Sequence, residues 1–380
     1  MDFSILGITT IFILFISLLL ALFVLTVKTA NKKANTFLGI YFLIFAIHIS
    51  VFFYSKYISL PHATEMLRNH IAYFTSPLLF LYIISSIYSD FKLTYRHLLH
   101  TIPFIIIILI FAPRFYLVDD FNQSQFLNNF NATLERKADI FFSLVAQLFY
   151  LTLSFLELRK YKILLLENYS EKSTFNYKWL YQLLVLLSVI FCISFFKQMY
   201  KVFGTDVDIL NSLRVLITLI LVLFLTWIVL KSMYYPRLFR NINSEHLLVK
   251  KILEEEDIIN QQSKSKEEIN QLLQFMKKEE PYLDASLTLN KLADKIGLPH
   301  RDVSILINSN LNQHFFDFVN QFRIDKAKEM LLNSKDKKLT IQQIMYDVGF
   351  NSKSSFYTVF KKQTGVTPSE YRKRGISDNK

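Results

Sequence analysis

Only one cysteine, Cys192, occurs in the 380 residues, and it stands inside an apolar run. An intramolecular disulfide and a cysteine-based metal cluster are therefore excluded. Glycine is scarce, with 7 in all, and none builds a P-loop or another glycine-rich phosphate cradle. The eight histidines show no HExxH or comparable spacing. These absences leave little for an enzyme to work with, so no catalytic residue, cofactor or metal is expected. Charge is scarce too, at 19% of residues, below the roughly 25% of an ordinary soluble protein. In its place the chain carries 52% hydrophobic residues, 37 of them Phe, which points to membrane spans.

The first such span is Ser4 to Val27, an apolar run without a charge. It exceeds the roughly 20 helical residues needed to cross a bilayer. It begins Met1-Asp2-Phe3, lacks the basic start of a signal peptide, and leads into more hydrophobic segments, so it reads as a retained span. Six more follow: Phe37 to Tyr57, Ile71 to Tyr88, Leu98 to Val118, Ile140 to Leu158, Trp179 to Phe196 and Ser212 to Leu230. Leu98 to Val118 has the weakest pattern, because His100, Pro103, Pro113 and Arg114 interrupt it.

With the N-terminus outside, the inner connections hold 13 Lys and Arg and the outer ones 8. That bias follows the positive-inside rule. Seven spans then deliver the C-terminus to the cytoplasm. Polar exceptions in the spans are His48, Gln147, Gln182, Lys197, Gln198 and Arg214, and an ionisable group at membrane depth is a functional candidate. His48 is the candidate sensing residue.

Residues 241–280 break the apolar pattern with six Lys against nine acidic residues, a net −3, and read as a solvated, partly helical connector. Leu247, Leu248, Ile252, Ile258 and Ile259 offer a short dimer seam, and Ser265 to Lys278 a further helix. The segment 281–380 reverses the balance, with sixteen Lys and Arg against ten acids, as suits a phosphate backbone.

Within that basic segment the chain repeats itself. Leu287-Thr288-Leu289-Asn290-Lys291-Leu292-Ala293-Asp294-Lys295-Ile296-Gly297 returns 52 residues later as Leu339-Thr340-Ile341-Gln342-Gln343-Ile344-Met345-Tyr346-Asp347-Val348-Gly349. Each copy opens on a threonine that can cap a helix. Each continues with apolar residues at i, i+3, i+4 and i+7 and ends on a glycine able to turn the chain at positive φ. A second helix must then begin, His300 to Asn308 in one copy and Ser352 to Gln363 in the other, and helix, tight turn, helix is the arrangement that sets its second member in a major groove. Asn312 to Leu332 keeps a helical period between the copies and would space two reading helices by about one DNA turn.

The run Gly349-Phe350-Asn351-Ser352-Lys353-Ser354-Ser355-Phe356, followed by Phe360-Lys361-Lys362 and then Gly365-Val366-Thr367-Pro368-Ser369-Glu370-Tyr371-Arg372, resembles the signature of AraC-type bacterial transcription regulators. Phe322-Arg323-Ile324 with Ala327 and Leu331 resembles that family's linker helix. Pro299, where the family usually has a serine-like cap, and Met345, in place of a small residue, depart from the pattern.

The resemblance implies that Arg301, Ser304 and Asn308, flanked by His300, are exposed DNA-reading positions of the first motif, and Lys353, Ser354, Tyr357 and Thr358, with Ser355 nearby, those of the second. Arg301 and Lys353 are the expected sequence readers, since both can donate to guanine, while Lys361 and Lys362 are expected on phosphates. Phe350, Phe356 and Phe360 are expected in the core, and Thr367, Pro368 and Glu370 as a capping box.

The expected fold is all-α: a seven-helix transmembrane bundle over 1–236, a charged connector over 237–280, and a cytoplasmic AraC-like domain with two helix-turn-helix motifs over 281–376. Its expected partners are double-stranded promoter DNA, membrane lipid, a second copy of the chain as a homodimer, and a signal ligand that the sequence does not identify. The alternative is a multi-span transporter or channel whose cytoplasmic tail binds a protein.

Overall fold

The computed structural model describes residues 5–27, 32–55, 57–88, 91–170, 175–204, 206–234, 262–332 and 339–377. Among these no strand forms; an isolated antiparallel bridge joins Tyr169 to Thr288. The boundary at residue 236 and the seam from Leu247 to Ile259 lie outside the described residues.

Among the described residues, seven helices are long and apolar enough to cross a membrane: α1 Ile5–Thr26, α2 Lys32–Tyr54, α3 His62–Ile87, α4 Tyr95–Tyr116, α5 Leu134–Asn168, α6 Phe175–Phe203 and α7 Val207–Tyr234. The fourth element accommodates its two prolines by local adjustment. Pro103 occupies the first turn of the regular stretch, where its missing N–H costs nothing, and Pro113 is absorbed by a π-helical turn over Ala112–Tyr116.

The chain forms two compact units: residues 1–158 with 176–244, and residues 159–175 with 245–380. In the first unit, α1 packs on α2 and α7, and α2 packs on α3. Gly39 lets α1 approach α2 closely, since a Cβ there would meet the Leu25 side chain at 2.5 Å.

Polar side chains act between these apolar helices. Thr9 donates to Thr218 at 3.1 Å, tying α1 to α7. Trp179 donates to the Tyr82 hydroxyl at 3.1 Å and stacks on Trp227, tying α6 to α3 and α7. The Tyr73 hydroxyl reaches Asp139 at 3.0 Å, joining α3 to α5. Lys33, in the first turn of α2, donates to the Phe91 carbonyl at 2.7 Å, tying α2 to the segment that follows α3. The outward face of the bundle is apolar: Phe15, Leu22, Leu109, Phe196 and Leu223 are all well exposed.

The second unit contains α8 Gln262–Glu279, α9 Leu289–Ile296, α10 His300–Ile305, α11 Phe315–Leu332, α12 Ile341–Asp347, α13 Lys353–Thr364 and α14 Pro368–Ser377. Two separate apolar cores form. Leu272 and Met276 of α8, Leu289 and Leu292 of α9, and Val303 and Ile307 share the first with Phe315, Phe318 and Val319 of α11. Ile344, Met345, Phe350, Phe356 and Phe360 share the second with Phe316, Ile324, Ala327 and Leu331 of the same helix. The Met345 that departs from the family pattern is thus simply a core residue.

Candidate nucleic-acid interface

Each motif is built as its threonine and glycine require. In the first, Thr288 accepts from the Lys291 N–H at 3.3 Å, and Gly297 ends α9 at φ +76°. In the second, Thr340 accepts from the Gln343 N–H at 3.1 Å while the Gln343 side chain accepts from the Thr340 N–H at 2.8 Å, a complete capping box. Gly349 follows at φ +90°, pressed against the Tyr282 and Leu283 carbonyls, which a Cβ would approach to 2.7 and 2.8 Å. Ser352 caps α13 and Gly365 ends it at φ +78°. Thr367 and Glu370 form the capping box of α14, with Pro368 at its first position.

Lys353, Ser354, Thr358, Lys361 and Lys362 are exposed and Tyr357 is half-buried. The Lys353 ammonium lies 5.6 Å over the Tyr357 ring, and Thr358 donates to the Ser354 carbonyl at 2.7 Å. Lys353 is the first residue of its helix, at the positive end of the macrodipole, where a cation is disfavoured. Lys361 and Lys362 occupy the last turn, where cations are favoured, and Lys362 pairs with Asp317 of α11 at 3.0 Å. Ser355 corrects the expectation: it is buried among core residues, and its hydroxyl has no hydrogen-bond partner.

The first motif departs further. Arg301 is exposed and His300 half-buried. Ser304 is only 3% exposed. It lies within Val303-Ser304-Ile305-Leu306-Ile307, five consecutive buried residues, so the hydroxyl cannot face a groove. Asn308 is half-buried and turned back on its own helix, its Nδ2 donating to the Ser304 carbonyl at 3.0 Å. For Asn308 the physical reason is that α10 gives way after Ile305 to a π-helical turn, Leu306–Asn310, which changes its angular position; Ser304, before that turn, faces the core with its apolar neighbours.

Sequence reasoning missed the polar centre of this unit. Arg323 on α11 is fully buried. Its Nε donates to the Tyr282 carbonyl at 2.7 Å and its Nη2 to the Asp284 carbonyl at 2.9 Å. Nη1 and Nη2 reach the Ser170 carbonyl and hydroxyl, each at 3.2 Å, and the guanidinium lies over the Phe350 ring. Ser170 also donates to the Leu287 carbonyl at 2.6 Å, and Asn320 donates to the Ser170 carbonyl at 3.0 Å. A signal existed: Val319, Arg323 and Ala327 stand at i, i+4 and i+8, which places a charge in the middle of an apolar stripe.

Beside it, Glu280 accepts from Lys326 and from the Tyr282 hydroxyl, both at 2.8 Å. These bonds, Lys326 first, hold the Glu280 carboxyl below the usual carboxylate range. The same bond holds Lys326 above its ordinary value, and burial, then Glu280, raises the Tyr282 phenol.

This part of the chain is similar to known proteins. The family described as a helix-turn-helix domain matches residues 292–374. An uncharacterized HTH-type transcriptional regulator of Staphylococcus aureus (strain COL) is 30% identical over 113 residues, which are 30% of this chain and 14% of that protein. Another from Pseudoalteromonas carrageenovora, in the cgkA 5' region, is 28% identical over 91 residues, 23% of this chain and 49% of that one. The chain therefore spans half or less of the length of these relatives. The crystal structure of the C-terminal domain of the two-component response regulator yesN from Fusobacterium nucleatum is 35% identical, covering 29% of this chain and 99% of that one, with a TM-score of 0.24.

Proposed function

Residues 292–374 carry a helix-turn-helix domain of the AraC type, and from that premise we propose that the chain is a membrane-embedded transcription regulator coupling a signal sensed in or across the membrane to promoter binding. The observation that carries this reading is the pair of helix–glycine–helix motifs on separate cores, strung on the single 18-residue helix α11. That helix is about 27 Å long, close to the ~34 Å of one DNA turn. Arg301 and Lys353 are the sequence readers in this reading, with Tyr357, Ser354, Thr358 and His300 beside them and Lys361 on phosphate. Lys353 is the stronger assignment, because its place at the helix start opposes the macrodipole and helix stability does not account for it. Lys362, already paired with Asp317, must exchange that partner for phosphate.

Membrane embedding is supported by the apolar outward faces of the seven helices, which water would disfavour at about 25 cal/mol per Å². An N-terminus outside and a cytoplasmic tail are supported by the Lys and Arg bias and by Ser170. That residue follows α5 in an inner connection and belongs to the same compact unit as the DNA-reading helices. Coupling is supported by α5 itself. Its 35 residues extend about 52 Å, well beyond the roughly 30 Å of a hydrocarbon core, and its last residues, from Arg159, belong to the second unit.

Mapping bound genomic DNA in cells tests the reading. An Arg301→Ala, Lys353→Ala chain is expected to lose its specific sites, at about 1–3 kcal/mol per bidentate contact, while Lys361→Ala weakens all sites alike and lowers the salt slope by about one. Identical site maps for the double variant and the parent would overturn the assignment.

A further inference from the structure

Two adjoining cavities, of about 330 and 380 Å³, lie inside the helix bundle. They share His48, Phe52, Gln147, Ser194, Lys197 and Arg214 in their walls. Each falls in the range of small-molecule sites, roughly 300–1,000 Å³. The first is walled mainly by apolar side chains such as Phe45, Leu151, Leu187 and Leu221. Walls of the second include Arg68, Arg136, Lys197, Lys201 and Arg214 against Asp139 alone.

Two of these cations are already neutralised, Arg136 by Asp139 at 2.6 Å and Arg68 by Glu65 at 2.7 Å. Lys197, Lys201 and Arg214 have no carboxylate within ion-pair distance among the described residues; Arg214 donates only to the Asn211 side chain, at 3.1 Å. Lys197 and Lys201 stand at i and i+4 on α6, where like charges repel. At their border with the first cavity, the buried His48 Nδ1 has no hydrogen-bond partner. Lys197 and Arg214 are half-buried and Lys201 is exposed at the rim; half-buried cations without a partner beside an apolar chamber are costly, and an anion removes the cost.

We propose that this double cavity binds an anionic amphiphile, a molecule with one carboxylate or phosphate group and an apolar chain. Lys197, Arg214 and Lys201 hold the headgroup and the chamber beside Phe45 and Leu187 takes the chain. The inference deepens the sensing role proposed above and rests on the bundle lying in a membrane.

The test uses the full chain in phosphatidylcholine nanodiscs, with dodecanoate, dodecyl phosphate, dodecanol and inorganic phosphate as probes and calorimetric titration as readout. Dodecanoate or dodecyl phosphate is expected to bind saturably, and Lys197→Gln with Arg214→Gln to weaken it about tenfold or more. Lys197→Arg with Arg214→Lys, which keeps both charges, is expected to retain binding, so loss in the neutral pair is not mere misfolding. Dodecanol binding as well as dodecanoate, inorganic phosphate saturating the site alone, or equal binding by the neutral pair overturns the proposal. Nanodiscs containing phosphatidylglycerol separate the sources: competition with dodecanoate identifies a lipid headgroup as the occupant, its absence a soluble amphiphile, and either supports the site. A chain that stays soluble without lipid or detergent defeats the membrane reading instead, and DNA binding by the same nanodiscs reports on the tail separately.

Discussion

Gly297 and Gly349 both turn the chain at positive φ, yet their surroundings differ. Nothing lies within 4 Å of a Cβ on Gly297, so Gly297→Ala carries only the backbone strain, roughly 1 kcal/mol. At Gly349 the same methyl group would also strike two backbone carbonyls and the Arg323 Nε, and the expected loss is about 3 kcal/mol or more. Hydrogen exchange over 339–364 in the full chain should rise sharply for Gly349→Ala and little for Gly297→Ala.

Glu280 gives a pH dependence at the same scale. Its carboxyl titrates lower when folded than when unfolded, so its stabilising contribution is present above the ordinary Glu value of about 4.3 and is lost as pH falls through the folded value. Lys326 is raised, so its contribution is present at neutral pH and lost only as alkaline pH passes its folded value. Glu280→Gln is therefore expected to flatten the acid limb of the second unit's stability, followed by hydrogen exchange between pH 3 and 6 (roughly, the window around that ordinary value).

Among the elements, α11 explains what sequence could and could not reveal. Its apolar residues face two cores, so period alone predicts the helix but does not divide Phe315 and Val319 from Phe316 and Ile324. The helix begins at Phe315 rather than Asn312, because Asn312 adopts φ +51°. The repeat of Thr288 and Thr340 with Gly297 and Gly349 made both motifs legible, since caps and positive-φ turns are local chemistry. The reading face of the first motif was not, because Ser304 sits in a run apolar on every side and a π-helical turn follows it. Nor was Ser170, whose partners Leu287, Asn320 and Arg323 lie more than a hundred positions away in the chain. Ser170→Ala leaves one Arg323 donor without its hydroxyl, a cost of about 1–3 kcal/mol. Faster exchange at 159–170 and a weakened signal response, with DNA affinity retained, is the expected result.

For the molecule as a whole, the proposed division of labour predicts that deleting residues 1–240 abolishes the response to signal while DNA binding persists. Reporter expression measured with and without the deletion decides this, and unchanged regulation would reduce the front half to an anchor. The long helix α5 bears on how such a response travels. It contains neither proline nor glycine along its 35 residues, so it offers none of the usual points at which a helix kinks. Under the proposed coupling, such a shaft has no built-in hinge at which a twist applied at one end would be absorbed.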